Sequence, residues 1–81
     1  MYKQKSPPTK ETMKKLREIS CYLRQLRINS GLTQAQVAEE TNIHRNTILR
    51  IETNHNFGIK NMIILSKYYC IPLPELVGDF N

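Results

Sequence analysis

Arginine, asparagine and a single leucine recur on one side of the stretch from Arg45 to Thr53, and those side chains can read a base pair. With ~100° of rotation per helical residue, Arg45, Asn46, Leu49 and Thr53 share one side with Arg50 at its edge, while Thr47, Ile48 and Ile51 point the other way. Arginine pairs bidentately with guanine and asparagine with adenine in the major groove, and Leu49 or the Thr53 methyl group suits a thymine methyl. This is the chemistry of hydrogen bonding to base edges. The sequence offers no nucleophile beside a base, no acid pair in a glycine-framed cleft and no phosphate-cradling loop, so an enzyme is not expected.

Two helices must place that face. Thr33 is a good N-cap with Gln36 at the capping-box position, which starts a helix whose Val37 and Ala38 turn inward. Ile48 and Ile51 share a face at i, i+3 and start the helical reading again after Ile43. Between them Thr41-Asn42-Ile43 leaves no room for a wandering loop, and asparagine accepts the left-handed backbone that turns a chain sharply. The helices must cross steeply, with small Ala38 allowing close approach, which is helix-turn-helix geometry.

The flanks read as helices too. Thr9 can cap a first helix running to about Asn29 or Ser30, with Leu16, Ile19, Leu23 and Leu26 as its apolar stripe and Gly31 as its stop. Its outward side carries Lys10, Lys14, Lys15, Arg17 and Arg24. Ahead of it, residues 1–8 hold Lys3, Lys5 and Ser6-Pro7-Pro8, expected to form a basic, flexible arm. Residues 9–78 are read as the domain and 79–81 as a tail. After Glu52, the turn-rich loop Thr53-Asn54-His55-Asn56-Phe57-Gly58 leads to a fourth helix at about Lys60 to Tyr69, with Met62, Ile63, Leu65 and Ser66 set inward. Asn54, Asn56, Gly58, Lys60 and Asn61 are candidates to hold DNA phosphates beside the reading helix. Ile71-Pro72-Leu73-Pro74-Glu75-Leu76-Val77-Gly78 reads as a short last helix begun by proline and stopped by glycine. The fold class expected is all-α, with five helices.

Charge and composition narrow the function. The net charge is +5, and residues 1–27 hold eight of the twelve basic residues but two of the seven acidic ones. That early excess favours nucleic acid or another anionic partner. An apolar content of 40% in 81 residues suits one small folded domain rather than a disordered chain. No apolar run approaches the ~20 residues that span a bilayer, and no secretory leader is visible, so a cytoplasmic protein without membrane contact is expected. Cys21, Cys70, His44 and His55 lack metal-ligand spacing, so neither metal nor cofactor is expected, and both thiols are expected reduced in or near the core.

The ordered set Leu26-Arg27, Ser30-Gly31-Leu32-Thr33-Gln34, Val37-Ala38, Ile43, Ile48 and Arg50-Ile51-Glu52, then Met62 to Tyr69 and Ile71 to Leu76, resembles the phage-repressor and Cro-like helix-turn-helix family, also called the XRE family. The resemblance covers about Leu16 to Val77 and implies a five-helix lambda-repressor-like domain with the helix-turn-helix at helices two and three. It implies that Arg27 pairs with Glu52, locking helix one to helix three. It also implies that Gln34, at a helix N-terminus with outward backbone N–H groups, contacts a phosphate and can brace a reading-helix residue. His44 departs from the family's small hydroxyl residue; it is a weaker cap, a candidate phosphate contact and a source of pH dependence. Asn42 stands where the family often has glycine. The last helix commonly forms a two-fold dimer, which makes Phe57, Leu73, Leu76, Val77 and Phe80 interface candidates, against simple closure of the monomer core.

The expected function is a sequence-specific double-stranded DNA-binding regulator of transcription, a repressor acting as a homodimer with no small-molecule substrate. Phage repressors, restriction-modification controllers and toxin–antitoxin repressors share this pattern. With the chain closing soon after helix five, regulation is expected to come from concentration, dimerisation or a partner protein. Two rivals are a protein-interaction module that keeps the fold and a nonspecific DNA binder driven by helix one.

Overall fold

The computed structural model describes residues 10–53 and 58–77, in the order α1 (Lys10–Asn29), α2 (Gln34–Thr41), α3 (Arg45–Thr53), α4 (Ile59–Tyr68) and α5 (Leu73–Val77). The described residues contain helices and turns but no strand. The caps expected at Thr9 and Gly78 lie outside them.

Helix ends follow from local chemistry. α1 closes where Gly31 takes φ 72° and the Leu32 N–H donates back to the Arg27 carbonyl at 3.1 Å, with the Gly31 N–H on Ile28 at 3.0 Å. This left-handed closure satisfies carbonyls that a helix end leaves without partners. α2 then opens with both halves of a capping box: Thr33 Oγ1 accepts the Gln36 N–H at 3.1 Å, and Gln36 Oε1 accepts the Thr33 N–H at 2.7 Å. Asn42, at φ 59°, makes the turn to α3, and Thr41 braces it by donating to the Val37 carbonyl and accepting from the Ile43 N–H. α4 ends like α1, except that Cys70 occupies the left-handed position, at φ 59°, while the Ile71 N–H donates to Ser66 at 2.8 Å.

The core draws on every helix: Ile19 and Leu23 of α1, Val37 of α2, Ile43 of the turn, Ile48 and Ile51 of α3, Met62 and Leu65 of α4, and Leu76 of α5. Half-buried Ala38 packs against it, and α3 is held between α1 and α2. α4 packs on α5 and α2. A bond from the Tyr68 hydroxyl to Glu40 ties α4 to α2, and Tyr68 meets Tyr69 edge to face at 5.0 Å.

Expectations at four residues need correction. Met62, Leu65 and Ser66 of α4 face inward, but Ile63 is 39% exposed, because it falls at the edge of their face, ~100° round the helix from Met62 and ~160° from Leu65. Cys21 and Cys70 are exposed rather than in the core: Cys21 lies off the Ile19–Leu23 stripe, and Cys70 sits at a corner. Leu76 is 4% exposed within the monomer, so its side chain closes the core and has little surface left for a second copy.

Candidate nucleic-acid interface

α3 is held at both ends, and what holds it turns one side outward. At its C-terminal end Glu52 has a side chain 4% exposed, a placement a carboxylate tolerates only when paired and hydrogen-bonded. Arg27 Nε donates to Glu52 Oε2 at 2.9 Å and Arg27 Nη2 to Oε1 at 3.1 Å, while Nη1 reaches the Leu32 carbonyl at 2.9 Å. Gln34, first residue of α2, adds its Nε2 to Glu52 Oε1 at 3.1 Å. One carboxylate thus joins the end of α1, the α1–α2 turn, the start of α2 and the end of α3. Tyr69 feels the same cluster: burial, and then the Glu52 charge, push its phenol up to about 12.

A second anchor escapes the sequence reading. Ser20, wholly buried, donates from Oγ to the Ile51 carbonyl at 2.7 Å. Ile51 lies in the last turn of α3, where carbonyls lack intrahelical partners, so Ser20 supplies from α1 what α3 cannot supply itself. The only available signal is a hydroxyl next to the Ile19–Leu23 stripe of α1. At the other end His44 caps α3: its Nδ1 accepts the Asn46 N–H at 3.0 Å, and its carbonyl accepts Ile48 N–H at 3.0 Å.

Held in this way, α3 buries Ile48, Ile51 and Glu52 and leaves Arg45, Asn46, Leu49, Arg50 and Thr53 exposed. Leu49 is 44% exposed, and Thr53 Oγ1 donates back to the Leu49 carbonyl at 2.7 Å. Among the described residues no carboxylate forms an ion pair with Arg45 or Arg50, and both guanidinium groups stand ready for an external acceptor.

The residues expected at phosphates fall into three groups. His44, Gly58 and Lys60 are exposed, and Asn61 is half-buried. Gly58, the N-cap of α4, makes no side-chain cap hydrogen bond, and Lys60 lies in the first turn of that helix. Gln34 is half-buried and commits one amide hydrogen to Glu52, leaving its backbone N–H without an intrahelical acceptor. Asn54 and Asn56 lie outside the described residues. Of the dimer candidates, Leu73 is half-buried, Phe57 and Phe80 lie outside the described residues, and so does the side chain of Val77.

Helices closed by left-handed corners, with one helix clamped by a buried ion pair and presenting exposed arginines, define a lambda-repressor-like DNA-binding domain. The helix-turn-helix family matches residues 23–76, more than half of the 81, and the chain belongs to that family of DNA-binding regulators. The match takes in α2 to α4 entire and leaves the first turns of α1 outside it. The chain matches no curated protein and no solved structure. No helix among the described residues is long and apolar enough to cross a membrane.

Proposed function

We propose that the protein is a sequence-specific regulator of transcription that reads double-stranded DNA by laying α3 in the major groove, and that it represses by occupying its operator. The observation that carries this reading is the exposed set Arg45, Asn46, Leu49, Arg50 and Thr53 on a helix whose opposite side is anchored by Ser20, Arg27 and Gln34. Base reading needs donors and acceptors held in fixed positions, because a displaced guanidinium loses its bidentate geometry. Arg45 and Arg50 suit guanine, Asn46 suits adenine, and Leu49 suits a thymine methyl.

Around this face, Gln34, His44, Gly58, Lys60 and Asn61, with Asn54 and Asn56 from the loop, hold phosphates and set the register of α3 without choosing sequence. Residues 1–8 are a basic arm, 9–78 the DNA-binding domain and 79–81 a tail. The working form is a homodimer in the cytoplasm. Leu73 and the exposed Ile63, which line one apolar groove between α4 and α5, support a contact between copies there. Phe57, Val77 and Phe80 are the further candidates for that contact.

Paired substitutions test the assignment. Arg45→Ala should cost about 1–3 kcal/mol on the preferred duplex and relax choice at one base pair. Lys60→Ala should weaken all duplexes alike and lower the salt slope by about one unit. Uniform weakening by Arg45→Ala, or lost discrimination in Lys60→Ala, would contradict the roles given to them.

A further inference from the structure

The cap on α3 is an imidazole, and its chemistry differs from that of a hydroxyl or amide cap. His44 Nδ1 accepts the Asn46 N–H at 3.0 Å, which requires that Nδ1 carry no hydrogen. The neutral ring must then hold its hydrogen on Nε2. Protonation puts a hydrogen on Nδ1 as well, so that two N–H donors face each other. It also sets a positive charge at the positive end of the helix dipole.

We propose that His44 is a positioning residue for base reading that makes the reading acid-sensitive. Neutral, it holds the first turn of α3, with Arg45 and Asn46; protonated, it releases that turn. The inference rests on α3 being the reading helix.

Among the described residues the cation finds no counter-charge. His44 is exposed, and the charged groups on the two helices that meet at its turn are Arg45, Arg50 and Glu52 on α3 and Glu39 and Glu40 on α2. Glu52 is taken by Arg27 and Gln34, and Glu40 accepts the Tyr68 hydroxyl. Among the described residues no carboxylate forms an ion pair with the His44 imidazole. In the free protein no described carboxylate offsets the lost cap.

The sign separates this role from a phosphate contact. A histidine that only touched phosphate would bind all duplexes more tightly in acid, since its charge adds to an attraction that ignores sequence. Loss of the cap instead disturbs Arg45 and Asn46, and lowers the preference for the operator over a scrambled duplex.

The test compares that preference between about pH 8 and pH 5.5, the range in which imidazoles change charge, for the full chain, His44→Asn and His55→Asn. Asparagine caps well without titrating. In the wild type and in His55→Asn the ratio should fall by roughly five-fold, the scale of losing one cap, and in His44→Asn it should stay flat. A flat wild-type ratio, or an equal fall in His44→Asn, would overturn the proposal. Nuclear magnetic resonance of the free protein gives a readout without DNA: the Asn46 amide shift should titrate together with the His44 ring, and the protection of that amide relative to its intrinsic exchange rate should fall in acid. An Asn46 amide indifferent to that ring overturns the cap role even if the protein reads DNA. Conversely, an amide that follows the ring in a protein with no sequence preference at any pH places the failure in the DNA reading of α3.

Discussion

Ser20 Oγ donates a 2.7 Å hydrogen bond to the Ile51 carbonyl, joining α1 to the last turn of α3 across 31 residues of sequence. With Ser20 wholly buried, the carbonyl has no water to replace the hydroxyl. Ser20→Ala should therefore destabilise the fold by about 1–3 kcal/mol, the cost of a buried acceptor left without a donor. Urea unfolding measures it; a change within experimental scatter would show that Ile51 finds another donor.

The Arg27–Glu52 pair makes a larger prediction. Both side chains are nearly out of solvent, at 12% and 4% exposure, so removing either one strands the other. Arg27→Ala should cost about 3–5 kcal/mol and weaken DNA binding with it, because the same carboxylate fixes the end of α3. The double variant Arg27→Met with Glu52→Leu should recover much of the stability in unfolding measurements. It should recover less of the DNA binding, since Gln34 loses its acceptor too.

Cys70 is a natural place to gain stability. It holds φ 59° at the end of α4, where Gly31 serves the equivalent corner of α1 at φ 72°. A side chain with a Cβ pays for that conformation and glycine does not. Cys70→Gly should raise stability by about 0.5–1 kcal/mol, read as a higher midpoint of thermal unfolding.

Alkaline titration should separate the two tyrosines that end α4. Both phenols are pushed up to about 12, Tyr68 mainly by its hydrogen bond to Glu40 and Tyr69 mainly by burial. A folded value above the ordinary 10.0 means that the fold favours the protonated phenol. Their contribution to stability is therefore complete below about pH 10 and lost as pH rises toward 12. Followed by phenolate absorbance, Glu40→Gln should bring Tyr68 down toward its ordinary value and leave Tyr69 high.

Much of this architecture is legible in residue types whose local physics has few solutions. Thr33 with Gln36 writes a capping box, Gly31 and Asn42 mark left-handed corners, and the structure has all of these. The proximity of Arg27 to Glu52 is implied by the family pattern, and the two side chains meet at 2.9 Å. Ser20 is illegible because a buried hydroxyl and a solvated one look alike until the partner helix is in place. Cys70 gives no turn signal, since cysteine has no preference for the left-handed region. The phase of α4 is ambiguous because Met62, Ile63, Ile64 and Leu65 are apolar on successive faces, and only packing against α2 and α5 turns Ile63 outward.

The central claim is that the exposed side of α3 reads a particular DNA sequence. Selection from a random duplex library at roughly physiological salt, followed by sequencing of the bound pool, tests it most directly. The account predicts an enriched two-fold symmetric site with half-sites about one helical turn apart. That enrichment should disappear in the Arg45→Ala, Arg50→Ala double variant, with its helical content intact by circular dichroism. A bound pool indistinguishable in sequence from the starting library, from a folded wild-type protein, would contradict it.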